Sequence, residues 1–405
     1  MIYASIDVGS DTVKIVVGKV TDNSLNILAS SKTRTVGIKK GLVVDKDLAT
    51  KSIILALDEM EKQLGFRIDK AIVNVPLMDV SVGIYNGCSY ADGEIRGDDV
   101  ITCFKSSVST IDIDKEVVTV FPIDFLIDDE KKVNDPKGEK GNKLESRMLI
   151  ATVLKQDIYP ILEILEKCQV EVIDLSFGVI NDFYNVCDNE DYKKGFGAVV
   201  DIGNDKIEIG LFNKGLMVDG LVIPKGSKLL DHDIGYIYHL DKTTSRDLKE
   251  NVAFASSQYA DPNEIIEYQN IDGEKLEIRG QEVSQIVEAR LEELLKNVKK
   301  VLNDLTNKEI SYIIITGGVS NLPGFDYLIG NIFGDIATSI NMSTIGVRDN
   351  VFSSCVGMIK YYYDKLKIRG IDYTMYSDIA KSIASKKNIL GKKVIDDIKK
   401  YLDNN

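Results

Sequence analysis

Apolar and polar positions alternate in short blocks at the start of the chain. Tyr3 to Asp7 reads as a strand, Gly9 and Ser10 as a turn, Val13 to Val20 as the returning strand, and Asn26 to Lys32 as a third strand. From Val44 to Gly65 the period lengthens, and Ile53, Leu57, Met60 and Leu64 fall on one face of a helix. Lys70 to Pro76 is an apolar strand closed by proline. Strand, strand, strand, helix, strand is an α/β beginning. The texture changes at Met78. Strands at Val80–Tyr85, Glu116–Ile127 and Met148–Leu154 surround a polar stretch from Asp128 to Glu145, and Asp157 to Cys168 has helical spacing, which together predict a small α+β insertion.

The opening pattern then returns. Ala198–Ile202, a turn, Lys206–Phe212 and Gly215–Val222 repeat the strand–turn–strand arrangement of residues 3–32, which points to an internal duplication. Residues 225–306 are mainly helical and charged, with a hairpin at Glu267–Arg279 turning at Asp272-Gly273. Gln281 to Leu302 is a long helix with Ile286, Leu291, Leu294 and Val298 as its apolar side. Ile310 to Thr316 is a buried strand running into Gly317-Gly318, and Val351 to Leu366 is a helix.

Composition narrows the chemistry. A chain of 405 residues suffices for two or three lobes with their own cores. Its net charge of −13 argues against nucleic-acid binding through a general basic surface. The five cysteines include no CxxC pair, which favours free buried thiols over a metal cluster or a disulfide framework. With only His232 and His239, neither a histidine-rich metal site nor a Ser-His-Asp triad is expected. The N-terminal residues lack the basic segment of a signal peptide, and no apolar run reaches the length of a membrane span.

Three loops carry candidate chemistry. Asp7-Val8-Gly9-Ser10-Asp11-Thr12-Val13-Lys14 joins two strands; its glycine lets amide N–H groups turn toward an anion, and Ser10 and Thr12 add hydroxyls. Asp7, at a strand end, is placed to hold a hydrated Mg²⁺. Asp201-Ile202-Gly203-Asn204-Asp205-Lys206 is the same construction in the second half. Thr316-Gly317-Gly318-Val319-Ser320-Asn321 follows a buried strand, where glycines let a purine or ribose lie against backbone. Two Asp-x-Gly hairpins about 190 residues apart, followed by a strand–Gly-Gly loop about 115 residues later, resemble the phosphate and adenosine signature of the actin, Hsp70 and sugar-kinase superfamily.

Within it the chain resembles the FtsA family of cell-division actins. The resemblance rests on Ser5 to Lys14, on Val36-Gly37-Ile38-Lys39-Lys40-Gly41-Leu42-Val43, on Val120 to Phe125 and Val133 to Gly138 in the insertion, and on Ile286 to Glu293; it covers residues 1 to about 366. It implies an α/β, actin-like fold: two duplicated ribonuclease-H-like subdomains around a nucleotide cleft, an FtsA-type α+β insertion and a C-terminal amphipathic helix. The implied division is 1–79, 170–195 and 347–370 for subdomain IA, 80–169 for the inserted IC, 196–224 and 307–346 for IIA, 225–306 for IIB, and 371–405 for a linker and membrane-targeting helix.

The resemblance also implies roles. Asp7 and Asp201 would orient Mg²⁺ through water; Gly9, Ser10, Asp11, Thr12, Lys14, Gly203, Asn204 and Asp205 would surround the phosphates of ATP; Gly226, Lys249, Arg290, Gly317, Gly318 and Val319 would flank ribose and adenine. For Lys249 the alternative is an exposed helix lysine, and for Arg290 an intrahelical pair with Glu292 or Glu293. The second loop departs from the superfamily's Asp-x-Gly-Gly-Gly-Thr, lacking two glycines and the threonine, and Asp205 adds negative charge. Lys206 either pairs with phosphate or stands in solvent. With so few donors, at most a weak ATPase is expected.

The segment from Tyr376 to Leu402 reads as one helix. Tyr376, Ile379, Ala380, Ile383 and Ala384 share an arc with Leu390, Val394, Ile395, Ile398, Tyr401 and Leu402, opposite Lys392, Lys393, Lys399 and Lys400. Such a helix can lie in an anionic membrane interface or dock on the protein's own core. The family further implies docking of the FtsZ C-terminal peptide at Lys296, Asn297, Lys299 and Lys300, self-polymerisation, other division proteins at the insertion, and residence at the cytoplasmic face of the membrane at the septum. The alternatives are another actin-like assembly protein, for cell shape, plasmid movement or pilus assembly, and a sugar-kinase-type phosphotransferase, for which no loop offers a clear catalytic aspartate.

Overall fold

The structure, a computed structural model, describes residues 1–22, 24–342, 344–368 and 372–376. The chain opens with β1 (Ile2–Val8), β2 (Thr12–Thr21) and β3 (Ser24–Arg34), a short hairpin of β4 (Ile38–Lys39) and β5 (Leu42–Val43), helix α1 (Lys46–Leu64) and strand β6 (Lys70–Val75). The Asp45 carboxylate caps α1 by accepting from the amides of Asp47 and Leu48, and the Gly65 N–H closes its far end on Glu61. The insertion holds β7 (Ser81–Tyr90), α2 (Gly97–Val108), β8 (Lys115–Ile127), β9 (Lys131–Val133) and β10 (Lys143–Leu154). Then come α3 (Lys155–Lys167), β11 (Glu171–Phe177), α4 (Gly178–Val186) and α5 (Glu190–Lys194).

The second half begins with β12 (Phe196–Ile202), β13 (Ile207–Asn213) and β14 (Leu216–Ile223). It continues through α6 (Lys228–Tyr238), α7 (Lys242–Asn251), β15 (Ile265–Gln269), β16 (Lys275–Arg279), α8 (Gly280–Leu305), β17 (Tyr312–Thr316), α9 (Phe325–Phe333), β18 (Ala337–Ser339) and α10 (Ser353–Ile368).

The duplication is visible in the sheets. The first has the order β11-β6-β1-β2-β3, and the second β18-β17-β12-β13-β14. In each, three antiparallel strands lead into two parallel ones. Register places the key residues alike: Asp7 lies opposite Lys14 at the end of the first hairpin, and Asp201 opposite Glu208 at the end of the second.

Cross-strand partners share a face, and successive residues alternate. Ser31, opposite Ile15, bonds the Ala56 carbonyl on α1; Ser5, opposite Val16, bonds the Cys355 carbonyl on α10. The first sheet therefore lies between α1 and α10. Its core runs on into the second half, where Phe183 of α4 stacks on Phe212 of β13 at 4.6 Å. A second core joins β12, β13 and β17 to α6, α7, α8 and α9. The insertion forms a sheet of order β7-β10-β8-β9 with its own small core around Cys103, Phe125 and Met148.

Patterning missed α2, whose Gly-Asp-Asp-Val-Ile-Thr-Cys-Phe run has weak helix formers. Packing decides it: β7 approaches so closely that a Cβ on Gly87 would meet the Cys103 carbonyl at 2.2 Å. The tail reading also needs correction at its start. Tyr376 is buried in the first core, its hydroxyl donates to the Lys70 carbonyl at 2.6 Å, and its ring lies 5.3 Å from Phe66. The Met375 N–H donates to the Ile2 carbonyl. Residues 372–376 are thus a strap on the first sheet rather than linker or helix; the remaining tail positions lie outside the described residues. Four cysteines are buried and Cys88 is half-buried, all as free thiols.

Candidate functional site

The two hairpin turns face each other across a cleft of about 480 Å³, within the size range of small-molecule sites. Loop one contributes Asp7, Gly9, Ser10, Asp11, Thr12 and Lys14. Loop two contributes Asp201, Gly203, Asn204, Asp205 and Lys206, and the third loop contributes Gly317, Gly318 and Val319. Lys249 also lines the cleft. It is not an exposed helix lysine: it is buried, with its Nζ 2.5 Å from Asp231 Oδ1.

Two expected positions are not on the lining. Gly226 sits behind loop two, where a Cβ would meet the Asn204 carbonyl at 2.4 Å, so its absent side chain lets that loop pack. Arg290 is not brought to the cleft. Its Nε donates to Asp233 at 2.6 Å, and it also pairs with Glu293, as a solvated face of α8 would. On the same helix Lys296 pairs with Glu292 at 2.5 Å, and Lys299 donates to the Ile332 carbonyl beside the Phe333 ring. Asn297 is half-buried and Lys300 exposed.

The carboxylates of the cleft differ in state. Asp7 Oδ2 lies 2.5 Å from Lys14, and its Oδ1 accepts from Asn74 at 2.9 Å. Burial works to raise its pKa, but Lys14 and Asn74 outweigh that and hold it below the usual carboxylate range. Burial lowers the pKa of Lys14, and Asp7 reverses this and keeps it charged. Asp201 makes no side-chain hydrogen bond among the described residues. Burial first, then the Glu208 carboxylate, push it up to about 6 against the pull of Lys14. Asp182, on α4, is raised well above its ordinary value by burial and by Asp201; Ser353 donates to its Oδ1 at 2.6 Å.

Loop two is internally neutralised. Asp205 accepts from Lys228 at 2.9 Å and from the Lys40 amide at 3.1 Å, which keep its pKa low despite burial. Lys206 is not solvated: its Nζ meets Glu208 at 2.5 Å, and Glu208 also accepts from the Leu77 amide. Beside it, Gly317 at φ +102 could carry no side chain, because a Cβ would meet the Ile202 carbonyl at 2.3 Å. Ser320 and Asn321 tie this third loop to Asp349 and Asn350.

A hydrated cation fits this floor. Asp182 Oδ2 and Asn74 Oδ1 are buried without a hydrogen-bond partner and both residues line the cleft, beside the unpartnered Asp201 carboxylate. Among the described residues no three His, Cys, Asp or Glu side chains cluster closely enough to ligate a metal directly, so contact through water is the arrangement these residues offer.

Several lining residues escaped the sequence reading: Asn74, Asp182, Glu208, Arg246 and Glu250. Asn74 carried a signal, a polar residue inside an otherwise apolar strand, and Asp182 likewise interrupts an apolar helix. Arg246 sits on a helix polar all round and carried none.

Comparison with known proteins bears on this arrangement. A sequence model described as the cell division protein FtsA matches residues 198–357, and one for the SHS2 domain inserted in FtsA matches residues 82–152. The cell division protein FtsA of Bacillus subtilis (strain 168) is 28% identical over 391 residues, 95% of this chain and 89% of that protein. The chain belongs to the FtsA family. Two matched solved structures show the same fold at low identity. A PilM–PilN type IV pilus biogenesis complex matches with a TM-score of 0.59, 12% identity, and coverage of 92% of this chain and 99% of that one. MreB5 of Spiroplasma citri, a structure bound to ADP, matches with a TM-score of 0.56, 12% identity, and coverage of 91% and 98%. This FtsA-family chain is therefore a cell-division protein with an actin-like fold and an inserted SHS2 domain.

Proposed function

We propose that this chain binds ATP with Mg²⁺ between its two halves, polymerises, and tethers FtsZ to the inner face of the cytoplasmic membrane at the septum. The observation that carries the nucleotide part is the pairing of two topologically equivalent Asp-ended hairpins across one cleft. Asp7, Asp201 and Asp182 would hold Mg²⁺ through water. The metal would supply charge neutralisation between the phosphates. The backbone of Gly9 and Gly203 and the hydroxyls of Ser10 and Thr12 would bind phosphate oxygens, and Gly317 and Gly318 would let adenosine lie flat. No side chain of loop two is free to donate to a developing charge, since Lys206 is held by Glu208. Turnover is accordingly slow, and the nucleotide acts mainly on conformation and assembly.

We read the subdomains as 1–79 with 170–195 and 347–376, 80–169, 196–224 with 307–346, and 225–306. This is the division that the family resemblance implies, with the 372–376 strap moved into the first subdomain because Met375 and Tyr376 belong to its core. The FtsZ peptide would dock near the end of α8. A groove of about 260 Å³ there, lined by Lys299, Leu302, Phe333 and Ile336 among others, has the apolar floor and cationic rim that an acidic-apolar peptide needs. The insertion is the surface left for other division proteins.

No helix among the described residues is long and apolar enough to cross a membrane. Attachment would fall to the basic amphipathic segment after the strap. One such helix binds lipid marginally, and a polymer presenting many gains avidity of about 10²–10⁴. The test is co-sedimentation of the full chain with anionic vesicles and Mg-ATP. Truncation before Ser385 and Ile398→Asp are each expected to abolish pelleting while leaving ATP affinity intact. Lys299→Glu with Lys308→Glu, at the rim of that groove, is expected to weaken FtsZ-peptide binding alone. Pelleting of the truncated chain with vesicles would remove the tether.

A further inference from the structure

Six cations line or edge the cleft, and five are engaged within their own half. Lys14 holds Asp7, Lys32 holds Asp349, Lys206 holds Glu208, Lys249 holds Asp231 and Lys228 holds Asp205. Arg246 differs. Its side chain is 6% exposed, and its guanidinium meets three walls at once: Nη1 lies 2.7 Å from Asp11 Oδ1 on loop one, Nη2 donates to Asn204 Oδ1 on loop two at 3.4 Å, and Nε lies 3.3 Å from Asp231 Oδ2 on α6. Of these six cations, Arg246 alone touches both hairpin turns.

Desolvating a guanidinium is costly; the other buried charge on α7, Lys249, is held by Asp231 alone, whereas Arg246 is divided among three partners. A planar fork with several fixed donors can satisfy partners in different directions, which an ammonium cannot. The residues it reaches also matter. Where the superfamily pattern has two glycines and a threonine, loop two has Asn204, Asp205 and Lys206, and Asn204 is the one that Arg246 reaches.

We propose that Arg246 is a positioning residue that couples the two phosphate loops, its guanidinium setting the spacing between Asp11 and Asn204 and supplying the order that the glycine-poor second loop lacks. The role rests on reading the cleft as a nucleotide site, because it states how that site is held ready. Nucleotide affinity in this chain then depends on a side chain of the helical subdomain that need not touch phosphate.

The variants are expected to fold, because the partners of Arg246 have other cations. In Arg246→Gln, Asp231 keeps Lys249 at 2.5 Å and Asp11 keeps Arg34 at 3.0 Å. Calorimetry with Mg-ATP on the full chain compares wild type, Asp11→Asn, Arg246→Gln, the double variant and Arg246→Lys. Each single change is expected to weaken binding about tenfold, and the double variant to be no weaker than the weaker single. Arg246→Lys keeps the charge without the fork and is expected to stay weak. Additive losses, or wild-type affinity in Arg246→Lys, would overturn the coupling. Hydrogen exchange without nucleotide separates this from the functional reading. Arg246→Gln should speed exchange at residues 9–12 and at 203–206 together. If wild type bound no Mg-ATP, the nucleotide reading would fall, and exchange alone would decide the coupling; unchanged exchange in the second turn would overturn it.

Discussion

The turns that begin at Asp7 and at Asp201 are the same hairpin built twice, with opposite electrostatics. In the first, the strand-end Asp7 is closed by Lys14 from the facing strand. In the second, the residue facing Asp201 is Glu208, and the available lysine, Lys206, is spent on that glutamate. One loop therefore presents a neutral pair and hydroxyls, and the other a lone carboxylate raised toward neutrality. Duplicated topology places two acids at equivalent points, and the facing residue decides which is satisfied by a neighbouring cation and which is left without a side-chain hydrogen bond among the described residues.

The largest effect should come from Lys14→Met. It removes the ammonium on which Asp7 depends and which also moderates Asp201. A buried acid left without its partner costs about 3–5 kcal/mol. Urea unfolding should show a loss of that size, and an unchanged midpoint would mean that the first loop is not held by this pair.

Asp201→Asn should act in the opposite direction on stability. Its folded pKa of about 6 exceeds the unfolded value, so the folded chain binds more protons between the two. Stability from this group is full below the unfolded pKa and is lost as pH rises through about 6. At pH 7–8 without metal, the variant should be more stable than wild type by about 1–3 kcal/mol, and the advantage should vanish near pH 4. Its Mg²⁺-dependent ATP affinity should fall in calorimetry. A variant less stable at pH 8 would show that Asp201 is satisfied within the protein.

Asp205→Asn should be milder. It gives up the Lys228 pair, about 1 kcal/mol at a partly exposed site, yet removes negative charge beside the phosphates. ATP affinity should rise a few-fold, by about 0.5–1 kcal/mol; a fall would mean that the Lys40 contact matters more than the charge. Ser10→Ala is the smallest change. The Gly41 amide loses its acceptor at 3.0 Å, worth about 0.5–1.5 kcal/mol in thermal unfolding.

The sequence by itself determined the parts written in contiguous residues. Strand–turn–strand periodicity located both hairpins, the Asp-x-Gly turns placed two loops that line the cleft, and the Gly-Gly after a buried strand placed the third. Backbone geometry is local, so a handful of neighbours suffices to specify it. The pattern also held where it was repeated, because duplication gave the same local signal twice. Partnership is another matter. That Lys206 is bound to Glu208, that Lys249 is buried on Asp231 and Arg290 turned away, and that Tyr376 is pinned to Lys70 were all decided by tertiary structure. So was the meeting of Asp182, Asn74 and Arg246 at the cleft from α4, β6 and α7. A side chain's charge state and direction depend on whatever packing brings within a few ångströms, and residues distant in sequence supply most of those neighbours here.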